Sequence, residues 1–109
     1  MNDEEIICTF MEPKPPDTDR GERGTSPGGW WKLRWSVLDQ RFRAWPNDDK
    51  TDSLDALWEV EERLTDEQWY RYTGNLPTGR WWSKELAHAT AAHKIKALAS
   101  VLRPEVEKR

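Results

Sequence analysis

The chain is poor both in the residues that usually carry chemistry and in those that usually fill a core. It has one cysteine, Cys8, and two histidines, His88 and His93, in 109 residues. A lone cysteine excludes an intramolecular disulfide, and two histidines five apart do not assemble the three or four ligands of a zinc site. No metal and no cofactor is therefore expected. No apolar run approaches the length of a membrane span, and no charged-then-apolar leader is recognisable, so no membrane partner and a cytoplasmic setting are expected. Hydrophobic residues are only 36% of the chain against 34% charged. Leu, Ile and Val are too few to fill the interior alone.

What the chain has instead is tryptophan, eight residues of it, four of them in the pairs Trp30-Trp31 and Trp81-Trp82. Indole supplies the missing core volume, and it can equally anchor a partner or stack on a flat ring. Core packing is the default for any single Trp. Neighbours on a strand point to opposite faces, however, so one member of each pair is expected to meet a second layer, a partner or a ligand. The length fits one domain over 1–109, with a flexible loop at about 13–29.

Net charge is −3, but it is unevenly spread. Residues 1–29 carry seven acids against three bases, and 46–69 carry nine against two. In 30–45, Lys32, Arg34, Arg41 and Arg43 oppose Asp39 alone, and 70–109 hold eight bases against three acids. Acidic helices neutralised by basic strands within one fold explain this without any ligand. Overall acidity argues against duplex nucleic acid as a partner, because phosphate contact needs a strong basic field.

Local patterns predict an α+β chain. Asn2 and Glu5 form a capping box for a first helix with Ile6, Ile7, Phe10 and Met11 on one face, stopped by Pro13, Pro15 and Pro16. The polar, glycine-rich stretch 17–29 reads as loop, and its glycines fit neither phosphate-binding spacing. Trp30 to Leu38 reads as a strand with Trp31, Leu33, Trp35 and Val37 alternating against Lys32, Arg34 and Ser36, and Arg41 to Trp45 as a second strand after a turn at Asp39-Gln40. Ser53 caps a helix with Leu54, Leu57, Trp58 and Leu64 inward and Glu59, Glu61 and Glu62 mostly outward. Thr65 to Gln68 repeats the capping box and predicts a short helix over Trp69 to Tyr72. A further strand is expected from Arg80 toward Ala89. Thr90 then caps a last helix with Ile95, Leu98, Val101 and Leu102 inward, ended by Pro104.

The stretches Ser53-Leu54-Asp55-Ala56-Leu57-Trp58-Glu59-Val60-Glu61 and His88-Ala89-Thr90-Ala91-Ala92-His93-Lys94-Ile95-Lys96-Ala97-Leu98 resemble the two helical signatures of the phage ABA sandwich family of small phage and prophage proteins. The opening Glu5-Ile6-Ile7-Cys8, with Phe10-Met11-Glu12-Pro13, resembles the first helix of its members. About half the chain is covered, and Asp17 to Asp52 is not. The resemblance implies a small antiparallel sheet packed with three to four α-helices in an α/β/α sandwich-like fold. It brings no catalytic residues.

Nothing else in the chain suggests an enzyme. Asp48, Asp49, Asp52 and Asp55 lack the glycine and terminal glutamate of a calcium loop, and no serine sits in a nucleophile elbow. Cys8 reads as a buried filler. What remains is aromatic residues beside cations, which suits flat anionic ligands. Trp30, Arg34, Trp35, Arg43, Trp45, Arg80, Trp81, Trp82 and Lys84 are the candidate ligand-binding residues. A phage-type accessory protein that binds a nucleotide-like immune signal is the leading expectation. The alternatives are an inhibitor of a host defence nuclease or effector, with Asp48 to Glu67 as a nucleic-acid mimic, a single-stranded nucleic-acid binder, and breakdown of a signal nucleotide. A homodimer or higher homo-oligomer is compatible with any of them.

Overall fold

A computed structural model describes residues 1–75 and 91–108. Among them are five helices, α1 (Asp3–Met11), α2 (Asp48–Thr51), α3 (Leu54–Glu62), α4 (Asp66–Asn75) and α5 (Ala91–Glu107), and three strands, β1 (Gly24–Thr25), β2 (Trp31–Ser36) and β3 (Arg41–Pro46). The strands form one antiparallel sheet in the order β1-β2-β3. The α+β class expected from the sequence is what the chain adopts. The strand expected over Arg80 to Ala89 and the Thr90 cap lie outside the described residues.

The local signals act as expected where they are local. Asn2 Oδ1 accepts from the Glu5 N–H at 2.8 Å and starts α1. Ser53 Oγ accepts from the Ala56 N–H at 3.3 Å and starts α3. Both arms of the Thr65–Gln68 box close, with Thr65 N–H donating to Gln68 Oε1 at 2.9 Å and Gln68 N–H to Thr65 Oγ1 at 3.2 Å. These contacts satisfy N–H groups that a helix start leaves without partners. A fifth helix was not expected: Asn47 Oδ1 accepts from the Asp49 N–H and nucleates the single turn α2.

The core lies where α1 runs along α5, with α3 and α4 packed on α5 and β3 against α1. Ile6, Ile7, Leu57, Val60, Tyr72, Leu98, Leu102 and Trp31 are wholly buried. Two expectations for α3 are overturned. Leu54 and Trp58 face water at 45% and 64% exposure, because the helix turns its smaller apolar arc, Ala56, Leu57 and Val60, to the core. Glu61 turns inward, where its carboxylate accepts from Lys94 Nζ at 2.9 Å and from the Tyr72 hydroxyl at 3.1 Å. That contact ties α3, α4 and α5 together, and burial beside this carboxylate pushes the Tyr72 hydroxyl pKa up.

Pro104 does not end the last helix. It stands exposed inside α5, which continues to Glu107. Proline removes only the bond to the carbonyl four residues earlier, and burial of Val106 holds the following turn to the core.

The stretch read as loop also carries structure. Thr18 bridges Phe42 through two backbone hydrogen bonds, and β1 pairs Gly24 with Leu33 and Thr25 with Lys32. What fixes this segment is Glu12, just past α1. Its carboxylate accepts from the Ser26 hydroxyl, the Gly28 N–H at 2.7 Å and the Trp30 N–H at 3.2 Å, and its carbonyl accepts from the Trp31 indole at 3.0 Å. A Cβ at 28 would lie 2.8 Å from the Glu12 carboxyl carbon, so any other residue there must displace that carboxylate from its hydrogen bonds. Gly29, at φ +81°, then turns the chain into Trp30. No helix among the described residues is long and apolar enough to cross a membrane.

Partial burial alone would raise the Glu12 pKa, but the bonds from Ser26, Gly28 and Trp30 outweigh it and hold the carboxyl below the ordinary glutamate range. A lowered folded-state pKa contributes stability that is present above the unfolded value, about 4.3, and lost as pH falls through the folded value. Glu12→Gln, which turns an amide toward a backbone donor, is expected to cost about 2–3 kcal/mol at neutral pH. In urea melts repeated down the acid range, its deficit against the parent chain should shrink below about pH 4.

Candidate functional site

Strand register sorts the candidate residues onto two faces. Trp31, Leu33 and Trp35 pair with Pro46, Ala44 and Phe42, and directly opposed residues share a face. That face is apolar and turns Trp31 and Ala44 into the core. On the other face Lys32, Arg34 and Ser36 pair with Trp45, Arg43 and Arg41. This is the alternation expected for β2, with the difference that Val37 belongs to the turn and is exposed.

Trp30 and Trp31 are both buried in one core cluster, at 3% and 0% exposure. The expectation that the two could not enter one core, so that one would meet a second layer, a partner or a ligand, fails for this pair because Trp30 precedes β2. Strand alternation does not govern it. Lys50 Nζ lies 5.5 Å from the centroid of Trp30, and Lys14 Nζ lies 5.7 Å from that of Trp31. Trp30 is therefore core and not a ligand platform. Trp35 is half-buried, edge-on to Phe42 with centroids 5.1 Å apart at 74°. Trp45 is 47% exposed, with the Arg43 guanidinium 5.3 Å from its ring.

The cations divide by whether they are already neutralised. Arg43 contacts Asp39 at 2.8 Å and Asp17 at 3.7 Å, and Lys32 contacts Asp48 at 2.6 Å and Asp49 at 3.7 Å. Hydrogen bonds from Ser36 and Arg43 lower the Asp39 pKa, and the Lys32 bond lowers that of Asp48 while raising its own. Arg34 is exposed and, among the described residues, makes no ion pair. The same holds for Arg23.

Arg23 and Arg34 meet at an open cleft of about 540 Å³ lined also by Lys32, Leu33 and Trp35. The cleft exists because β1 is two residues long. It covers β2 only as far as Leu33, and beyond that point the sheet edge beside Trp35 is open. The cleft thus offers two guanidinium groups with no ion pair among the described residues and one indole, a set suited to phosphate and a flat ring, while the Lys32 ammonium is held by Asp48. Arg34 also borders Arg43 and Trp45, so these three of the expected site residues are neighbours on the outer sheet face, while Trp35 lines the cleft from the other face. Arg80, Trp81, Trp82 and Lys84 lie outside the described residues.

Arg23 was not expected from the sequence. It sits in a polar run with no periodicity, and only its closeness in space to Arg34 marks it. No group of three or more His, Cys, Asp or Glu side chains among the described residues could hold a metal ion. Burial pushes the Cys8 thiol up to about 12, so it stays protonated at neutral pH and is no nucleophile. No family model, curated protein or solved structure matches the chain.

The two kinds of tryptophan should separate in urea denaturation. Trp31→Ala is expected to cost about 3–5 kcal/mol, as for other buried aromatics. Trp45→Ala should stay within about 0.5 kcal/mol of the parent chain, as a surface change does.

Proposed function

We propose that this chain acts by binding, and that the cleft beyond the end of β1 takes a nucleotide-like anion. Phosphate oxygens lie against Arg23 and Arg34, and the flat ring lies against Trp35. The observation that carries the reading is the meeting of two unpaired arginines with an indole in a space of about 540 Å³, within the range of about 300–1,000 Å³ usual for small-molecule sites. A stacked base contributes about 1–3 kcal/mol, and charge-assisted bonds to phosphate add to it. Nothing in the reading requires a reaction. It needs a ligand held and removed from circulation.

The setting we propose is a small phage-type accessory protein that sequesters a nucleotide-like immune signal. Its support is the resemblance of 53–61 and 88–98 to the helical signatures of the phage ABA sandwich family. Where those stretches are described they carry core residues, Leu57 and Val60 on α3 and Ile95 and Leu98 on α5.

Isothermal titration against nucleoside phosphates, cyclic dinucleotides and ADP-ribose tests the site. At least one ligand should bind in the micromolar range, and Arg23→Ala and Arg34→Ala should each weaken it about tenfold, the equivalent of about 1.4 kcal/mol. Intact ligand should be recovered after heat denaturation of the complex. Absence of heat across the panel, or affinity untouched by both substitutions, would contradict the assignment, and a converted ligand would make the protein an enzyme.

A further inference from the structure

Helix α3 presents an arc of five exposed side chains. At about 100° per residue, Glu59, Asp55, Glu62, Trp58 and Leu54 follow one another around its outer side, opposite the buried Ala56, Leu57 and Val60. Asp55, Glu59 and Glu62 are exposed and make no ion pair among the described residues. Trp58 and Leu54, one turn apart, form an apolar edge along this acidic row. Scattered exposed apolar residues are ordinary. A Trp and a Leu one turn apart on one helix face, beside three carboxylates without an ion pair among the described residues, form a continuous exposed amphipathic strip.

The chain carries a surface of the opposite sign. On the outer sheet face Arg34 and Arg41 are exposed and make no ion pair among the described residues, and Trp45 stands opposite Lys32, diagonal to Arg34, with Arg43 over its ring. The two surfaces are opposite in charge and alike in apolar content: carboxylates and an indole on α3, guanidinium groups and an indole on the sheet. We propose that the two meet between copies of this chain, α3 of one protomer lying on the outer sheet face of another. Asp55, Glu59 and Glu62 then face Arg34 and Arg41, and Trp58 and Leu54 cover Trp45. Paired exposed charges alone contribute little, so the apolar contact supplies the affinity and the charges supply register and exclude wrong partners. The acidic row disfavours nucleic acid at α3. The contact shares Arg34 with the cleft but uses neither Arg23 nor Trp35, and its test reads assembly with no ligand present.

Charge exchange tests it. One variant carries Glu59→Arg and Glu62→Arg, the other Arg34→Glu and Arg41→Glu, and circular dichroism verifies that both fold. By light scattering in low salt the parent chain should show at least twice the single-chain mass at high concentration, and single-chain mass in high salt. Each variant alone should stay at single-chain mass, whereas their equimolar mixture should regain at least twice that mass. A parent chain at single-chain mass throughout would overturn the proposal and leave α3 to a different, cationic partner. Assembly unchanged in both folded variants, or no recovery in the mixture, would overturn it equally.

Discussion

The carboxylate of Glu12 is the contact on which the rest of the structure depends. Three groups from a stretch with no apolar pattern, the Ser26 hydroxyl and the N–H groups of Gly28 and Trp30, converge on it, and the Glu12 carbonyl takes the Trp31 indole. Ser26 Oγ in turn accepts the Trp31 N–H. One residue at the end of α1 thereby fixes where β2 begins and drives two indoles into the core, which is how a chain short of aliphatic residues fills its interior. It also places β1 beside β2, and β1 stops short of Trp35. The cleft follows from that early stop.

Charge is segregated on this frame. The strands carry four cations and no acid, and α2, α3 and α4 carry eight acids against two cations, yet only some of each neutralise one another. Lys32 with Asp48 and Arg43 with Asp39 are internal pairs. Arg23 and Arg34 on one side, and Asp55, Glu59 and Glu62 on the other, are left to the surroundings. A net charge of −3 therefore conceals two surfaces of opposite sign, which is why the sum alone says little about what the protein binds.

Much of the fold was legible because its signals are short-range. Asn2, Ser53 and Thr65 cap helices through contacts three residues away, and the period-2 alternation of Trp31, Leu33 and Trp35 defines β2. The errors over Glu61, the buried arc of α3 and β1 share one cause, which is that the deciding contact is distant in sequence. Glu61 faces inward for Lys94, 33 residues on. α3 has two apolar arcs, and docking against α5, not residue size, selects Ala56, Leu57 and Val60 over Leu54 and Trp58. β1 buries no side chain and leaves no pattern, so neither it nor Arg23 could be read. Trp35, Arg34, Arg43 and Trp45 were identified by type and neighbours, but their division between a cleft and an outer face needed the register.

Backbone and indole NMR spectra recorded while a nucleoside diphosphate is titrated into the protein test the central claim most directly, because they place the ligand on the chain residue by residue. The account predicts shifts concentrated at Arg23, Gly24, Arg34, Trp35 and the Trp35 indole, with Trp30 and Trp31 little affected. Shifts confined to α3 or the α4–α5 side, or none at millimolar ligand, would contradict it.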